Sequence, residues 1–155
     1  MPLTQQDAAQ LGRSARARLP RRRLAEAGSR DRDPVAILAE QHVTRLQELV
    51  PVRVGRMLQS PFACYRGSAA VMAHDLGLEP HTDLQVVSCG DAHVSNFGLF
   101  ASPERRVMFE LNDFDEGGVA PFEWDVKRLA ASIHLAGRTA GMSEPDCRAA
   151  VVSAA

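Results

Sequence analysis

The sequence predicts an α+β fold, rich in helix, with a small β-hairpin that carries a cluster of acids. Two observations support this. Apolar residues recur three and four apart over 34–50 and again from Phe122 to about Gly137, the period of helices with one buried face. Between them lie short apolar runs at 86–89, 97–100 and 107–111, bounded by Gly, Pro, Asn and Asp, which is the pattern of strands.

The elements follow in order. Residues 1–33 hold Arg13, Arg16, Arg18, Arg21, Arg22, Arg23, Arg30 and Arg32 against Asp7, Glu26, Asp31 and Asp33, a local charge of +4 in a chain whose formal charge is -1. With Pro20, Gly28 and little apolar periodicity, this opening reads as a basic, disordered arm, too polar to offset its ordering entropy. Weak anion binding or partner docking is the alternative role. Asp33-Pro34 opens a helix through Ile37, Leu38, Val43, Leu46 and Val50, which Pro51 is expected to end. Residues 51–67 are rich in turn formers, hold Arg53, Arg56 and Arg66, and are expected to be ordered by tertiary contacts alone. Ser68 is a good N-cap for a helix over 69–76, which Gly77 can close.

Val86–Cys89 reads as a strand broken at Gly90, followed by the polar loop Asp91–Asn96. Phe97–Phe100 and Val107–Leu111 pair as a hairpin that delivers Asn112-Asp113-Phe114-Asp115-Glu116. A helix runs from Phe122 through Leu135, and a last one spans Glu144–Val152 with Ser143 as cap and Pro145 in its first turn. Phe114, Phe122 and Trp124 are expected in the core rather than in a base-stacking platform.

A chain of 155 residues with 45% hydrophobic residues can build one ordinary core. The near-neutral charge gives no case for nucleic acid or a membrane surface as partner. No run approaches the ~18 apolar residues of a membrane span, and no signal-peptide pattern opens the chain, so a cytoplasmic location is expected. Cys64, Cys89 and Cys147 are odd in number and widely spaced, which suits buried thiols.

The chemistry concentrates in two strings, Gly90-Asp91-Ala92-His93-Val94-Ser95-Asn96 and Asn112-Asp113-Phe114-Asp115. Phosphoryl transfer from a nucleotide asks for a carboxylate near the attacking hydroxyl and for oxygen ligands that hold magnesium on the phosphates. Magnesium takes few protein oxygens and keeps several waters. Asp91, Asn96 and Asp113 supply such a set: the Asp can face an acceptor while the Asn five positions later turns back toward a metal. Asp125, at the start of the long helix, can accept hydrogen bonds from backbone amides of the Asp91 loop, or it can be a solvated acid favouring the helix dipole. His93 can act as base or metal ligand, or brace its loop by bonding backbone carbonyls, the role expected here.

At these residues the chain resembles the kinase-like superfamily, including the aminoglycoside phosphotransferases, whose catalytic loop reads Asp, four residues, Asn. Gly90-Asp91-Ala92-His93 is similar to the His-Gly-Asp-x-His form of the small-molecule kinases, with Cys89 in place of the first His. More closely, residues 50–135 resemble the bacterial family of domain of unknown function 2252, through Arg56-Met57, Ser60-Pro61-Phe62, Tyr65-Arg66-Gly67, Cys89–Gly98, Leu111–Glu116 and Pro121–Leu129.

That resemblance implies the helix-rich catalytic lobe of a kinase-like fold, with Asp91 as catalytic base, Asn96 and Asp113 as metal ligands, and Asp125 as a supporting acid; His93 stands beside Asp91 as a second catalytic candidate, and Asp115, without a settled counterpart, either helps to bind a second metal ion or faces water. It implies Mg2+ or Mn2+ and ATP as cofactors, and a hydroxyl acceptor of unknown identity. Kinases place a glycine-rich loop and a phosphate-binding lysine before the catalytic loop, whereas the single lysine here, Lys127, follows the metal loop. The family resemblance implies a glycine-rich segment and lysine strand further downstream, so 34–155 is expected to be a partial lobe lacking its nucleotide-binding half. Arg66, with Arg53 and Arg56, is the candidate for phosphate contacts. Two other functions compete: a non-catalytic kinase-like binding module, and a metal-dependent phosphoester hydrolase, since Gly-Asp-x-His also occurs in binuclear metallophosphatases.

Overall fold

The computed structural model describes residues 4–29 and 31–154. Arg30 of the basic opening and the terminal Ala155 lie outside the described residues. The molecule is α+β and helix-rich, with two separate two-stranded antiparallel sheets.

The opening expected as a disordered arm is helical. Helix α1 spans Gln5–Arg18 and starts in a capping box, in which Thr4 Oγ1 accepts from the Asp7 amide and the Asp7 carboxylate accepts from the Thr4 amide. Ala15 and Leu19 are buried. Further on, Arg32 makes a two-pronged ion pair with Asp75, with nitrogen to oxygen distances of 2.8 and 2.7 Å. The sequence pattern missed these because a capping box and one buried face need few apolar residues.

Helix α2 spans Pro34–Val43, capped by Asp33, whose Oδ1 accepts from the amides of Val35 and Ala36. It stops short of the expected Val50. After a 3-10 turn, α3 covers Val50–Met57 and α4 covers Pro61–Gly67, so the segment expected to lack regular structure holds two helices. Pro51 and Pro61 both sit in a first helical turn, where a missing N–H costs nothing, and Ser60 caps α4 by accepting from the Ala63 amide. Helix α5 covers Ala69–Gly77; Ser68 precedes it without a side-chain cap, its hydroxyl donating instead to the Tyr65 carbonyl.

Strand β1, Gln85–Ser88, pairs with β4, Gly118–Pro121, in the register Gln85 opposite Pro121 to Ser88 opposite Gly118. Strands β2, Phe97–Ala101, and β3, Val107–Leu111, form the expected hairpin, with Leu99 opposite Phe109. β4 has no counterpart in the sequence reading, because four residues of Gly-Val-Ala-Pro carry no alternation signal. Helix α6, Glu123–Thr139, packs on α7, Glu144–Ala154. α7 begins where Ser143 Oγ accepts from the Asp146 amide.

The apolar core is small, with Met57, Ala69, Val71, Leu76, Cys89 and Cys147 among its members. Cys89 and Cys147 are buried thiols as expected, but Cys64 is exposed. Phe114 and Phe122 are exposed too rather than in the core. No described helix is long and apolar enough to cross a membrane.

Candidate functional site

The site grows from the end of β1. Gly90 has φ +75°, and a Cβ there would collide with the Glu116 carbonyl, so only glycine can make this turn against the loop that follows β3. Asp125 fixes the turn from below: its carboxylate accepts from the Cys89 amide at 2.7 Å and the Gly90 amide at 3.1 Å. These bonds bring a first-turn residue of α6 under the strand end and aim the next residue, Asp91, outward.

Two more groups of α6 hold the same loop. Ser132 Oγ accepts from the Val94 amide at 2.8 Å while donating to its own helix at the Leu129 carbonyl. Arg128, 2% exposed, directs Nε and Nη2 onto Asp91 Oδ1 at 2.6 Å. Its remaining donors and its face are also used: Nη2 donates to the Tyr65 carbonyl at 3.0 Å, and the guanidinium lies 4.4 Å from the centre of the Tyr65 ring. The Tyr65 hydroxyl donates to the Arg128 carbonyl at 2.9 Å, and burial pushes this phenol up to about 12, so it stays protonated as that bond requires.

Asn96 joins the two acidic loops. Its Nδ2 donates to the carbonyls of Asp91 (3.1 Å) and Asp113 (2.9 Å), and the Asn112 amide donates back to the Asn96 carbonyl. Cys89 adds a third tie, its Sγ lying 3.1 Å from the Asp113 carbonyl. Burial raises this thiol above its ordinary range, so it is the protonated donor that the bond needs. Asp113 Oδ1 accepts from the Asp115 amide, which shapes the loop after β3 and leaves Asp113 exposed.

His93 is buried, and its Nε2 faces side chains rather than the backbone carbonyls that bracing would use. Nε2 accepts from Arg66 Nε at 3.4 Å and lies 3.7 Å from Asp91 Oδ2, while Nδ1 is buried without a partner. Burial, ahead of the neighbouring charges, holds the imidazole below its ordinary value, so it is neutral near pH 7. An accepting Nε2 fits that neutral form. The loop is braced by its backbone and by α6 instead.

Asp91, His93 and Asp113 line one open cleft of about 1110 Å3, and Arg66 lines it as well. Asn96 is buried behind them, and Asp115 is exposed but does not line the cleft. Among the described residues, no group of three or more His, Cys, Asp and Glu is placed to hold a metal ion.

Residues 45–155 match the family described as an uncharacterized protein conserved in bacteria (DUF2252). The chain belongs to this family. Its match takes in every residue of the site described above, from Tyr65 to Ser132, and leaves out α1 and α2. No match was found among curated proteins or among solved structures.

Arg128 is the site residue that sequence reasoning missed. Beside Lys127 in a helix it reads as surface charge. Its spacing was the available signal: Asp125, Arg128 and Ser132 stand three and four apart, one polar stripe along a helix whose Leu129 and Ile133 face elsewhere.

Proposed function

We propose that this chain carries the acidic half of a kinase-like phosphotransfer site, in which Asp91 faces a hydroxyl acceptor while Asp113 and Asn96 address a magnesium ion on a nucleotide. One observation carries the reading: the Asn96 amide ties the Asp91 and Asp113 backbones together, so that two carboxylates from separate loops open into a single cleft. Phosphoryl transfer needs such positioning more than it needs covalent help.

The residues fit magnesium in a limited sense. Asp113 is exposed, with one carboxylate oxygen not engaged by the Asp115 amide, and Asn96 keeps its Oδ1 because Nδ2 makes its bonds to carbonyls. Few protein oxygens suit an ion that completes its shell with water and phosphate. When bound, the ion would draw charge from the transferring phosphoryl group. The chain's own contribution is to hold Asp91 at the acceptor. Asp91 Oδ1 is taken by Arg128, so Oδ2 is the oxygen that can accept the hydroxyl hydrogen. Asp115, beyond the cleft lining, would serve at most a second ion.

The test uses the full chain in calorimetry with ATP, with and without Mg2+, followed by an assay of γ-phosphate loss. Magnesium-dependent binding that D113A abolishes and D91N spares, with turnover lost in both variants, is the expected result. Absence of any magnesium-dependent nucleotide binding, together with indifference to D113A, defeats the reading.

The second reading, a kinase-like binding module without catalysis, has its own observation in the 2.6 Å contact of Arg128 with Asp91, which occupies half of the proposed base. It predicts nucleotide binding with no turnover, equal in wild type and D91N. No comparable observation favours the phosphoester hydrolase.

A further inference from the structure

Four arginines line the same cleft as the acids. Arg53 and Arg56 stand three apart on α3 and so share a face, Arg45 precedes that helix, and Arg66 lies in the last turn of α4; all four line the cleft with Asp91 and Asp113. These guanidiniums converge without enough acid to offset them. Asp91 is already paired with Arg128, and Glu116 reaches Arg45 at 3.4 Å.

The anchoring differs from one arginine to the next. Arg53 is fixed by neutral acceptors, both terminal nitrogens lying 3.2 Å from Gln41 Oε1 and Nη2 also donating to the Gly67 carbonyl. Burial, then the nearby Arg45, push its guanidinium below its ordinary value. Arg66 donates to His93, which is neutral. Arg56 is exposed, and its side chain makes no hydrogen bond or ion pair with any described residue. A preset cation, flanked by two cations that pair with no carboxylate among the described residues, is an arrangement that an anion would stabilise.

We infer that the α3 and α4 wall is a seat for a polyphosphate chain, with Arg53 as its fixed floor and Arg56 and Arg66 closing on the phosphate oxygens. The choice of phosphate over other anions rests on the phosphotransfer reading, because Asp113, in the same cleft, is where a phosphate-bound cation would be met. Arginine suits the task through its planar fork, which pairs with two phosphate oxygens at once. The seat supplies cationic groups from before the catalytic loop without a lysine.

Calorimetry of the full chain separates the possible sources of such a chain. Inorganic tripolyphosphate probes the seat alone, ATP adds a nucleoside, and citrate offers comparable charge without phosphate. Tripolyphosphate should bind without magnesium and more tightly than citrate. R56E and the double variant R56A/R66A should each weaken it at least tenfold, R56K much less, with circular dichroism and melting confirming the fold. D113N removes a negative charge from the same cleft and should not weaken magnesium-free tripolyphosphate binding; a tenfold loss in D113N would overturn the seat. Binding of tripolyphosphate that is equal in R56E and wild type, or no tighter than that of citrate, overturns the seat. If the arginine variants lose tripolyphosphate while D91N and D113A leave ATP binding and turnover untouched, the seat stands and the phosphotransfer reading falls. Tighter binding of ATP than of tripolyphosphate in wild type identifies a nucleotide as the source; equal binding identifies the phosphate chain itself.

Discussion

The inner stripe of α6 and the β2–β3 hairpin invert the usual placement of polarity. α6 buries Arg128 at 2% exposure and Ser132 at 0%, whereas the hairpin leaves Leu99, Phe109 and Val107 at 72%, 69% and 75%. The two regions are a short distance apart in sequence, and both serve the acidic loops. They differ in what orders them. α6 groups are held because each donor meets an acceptor: Arg128 has Asp91 and the Tyr65 carbonyl, and Ser132 has the Val94 amide and the Leu129 carbonyl. The hairpin is held by its own ladder and by the Asn112 amide bond to Asn96, with no third layer over its apolar face among the described residues. A polar network can fix a loop in one geometry because its bonds are directional, while exposed hydrocarbon fixes nothing.

Replacing Arg128 tests that contrast most severely. R128A leaves Asp91 without its cation and the Tyr65 carbonyl without its donor, so a loss of about 3–5 kcal/mol in unfolding free energy is expected from urea titration. R128K retains charge but not the fork, and should fall between wild type and R128A. A loss below about 1 kcal/mol in R128A would mean that the α6 stripe is not what orders the Asp91 loop.

Ser132→Ala is smaller, since it removes one acceptor and strands the Val94 amide; about 1–3 kcal/mol is expected, again by denaturant titration. His93 gives a pH-dependent version of the same test. Its folded value is held below the ordinary 6.5 by burial, so the unfolded chain binds the proton first as pH falls. The stability that comes from keeping this ring neutral is complete above about pH 6.5 and is lost as pH drops below it toward the lower folded value. H93Q should therefore flatten the acid limb of the stability curve relative to wild type. Identical limbs would show that the buried ring does not govern this range.

How much of this was legible follows from which forces act locally. The hairpin, α6 and α7 could be read because their apolar spacing and turn residues are properties of adjacent residues. α3 and α4 could not, because Pro51 and Pro61 stop a helix or start one depending on what precedes them, and only the Ser60 cap discriminated. In the site, the loop positions of Asp91, Asn96 and Asp113 were visible in their spacing. The partner of Asp91 was not: Arg128 lies 37 positions away, and the hydrogen-bond geometry that makes it structural exists only after α6 has docked. The arginine wall was half visible. Arg53, Arg56 and Arg66 could be named, but Arg45 joins them through the turn that ends α2, which the sequence reading continued as helix.

The hairpin should give the smallest effect, and its value lies in that smallness. Leu99 and Val107 are exposed, so L99T and V107T place β-branched residues suited to a strand while removing hydrocarbon that already meets water. Each should change unfolding free energy by no more than about 0.5 kcal/mol. Phe109 is less suitable because it stacks on Phe97 at 6.3 Å, and its loss would remove a pair as well as exposed area. A cost near 2 kcal/mol in V107T would show that the face is covered in solution, and would move the hairpin from the self-supporting class into the packed one. The comparison would then rest on α6 alone as the region whose order comes from hydrogen bonds rather than contact.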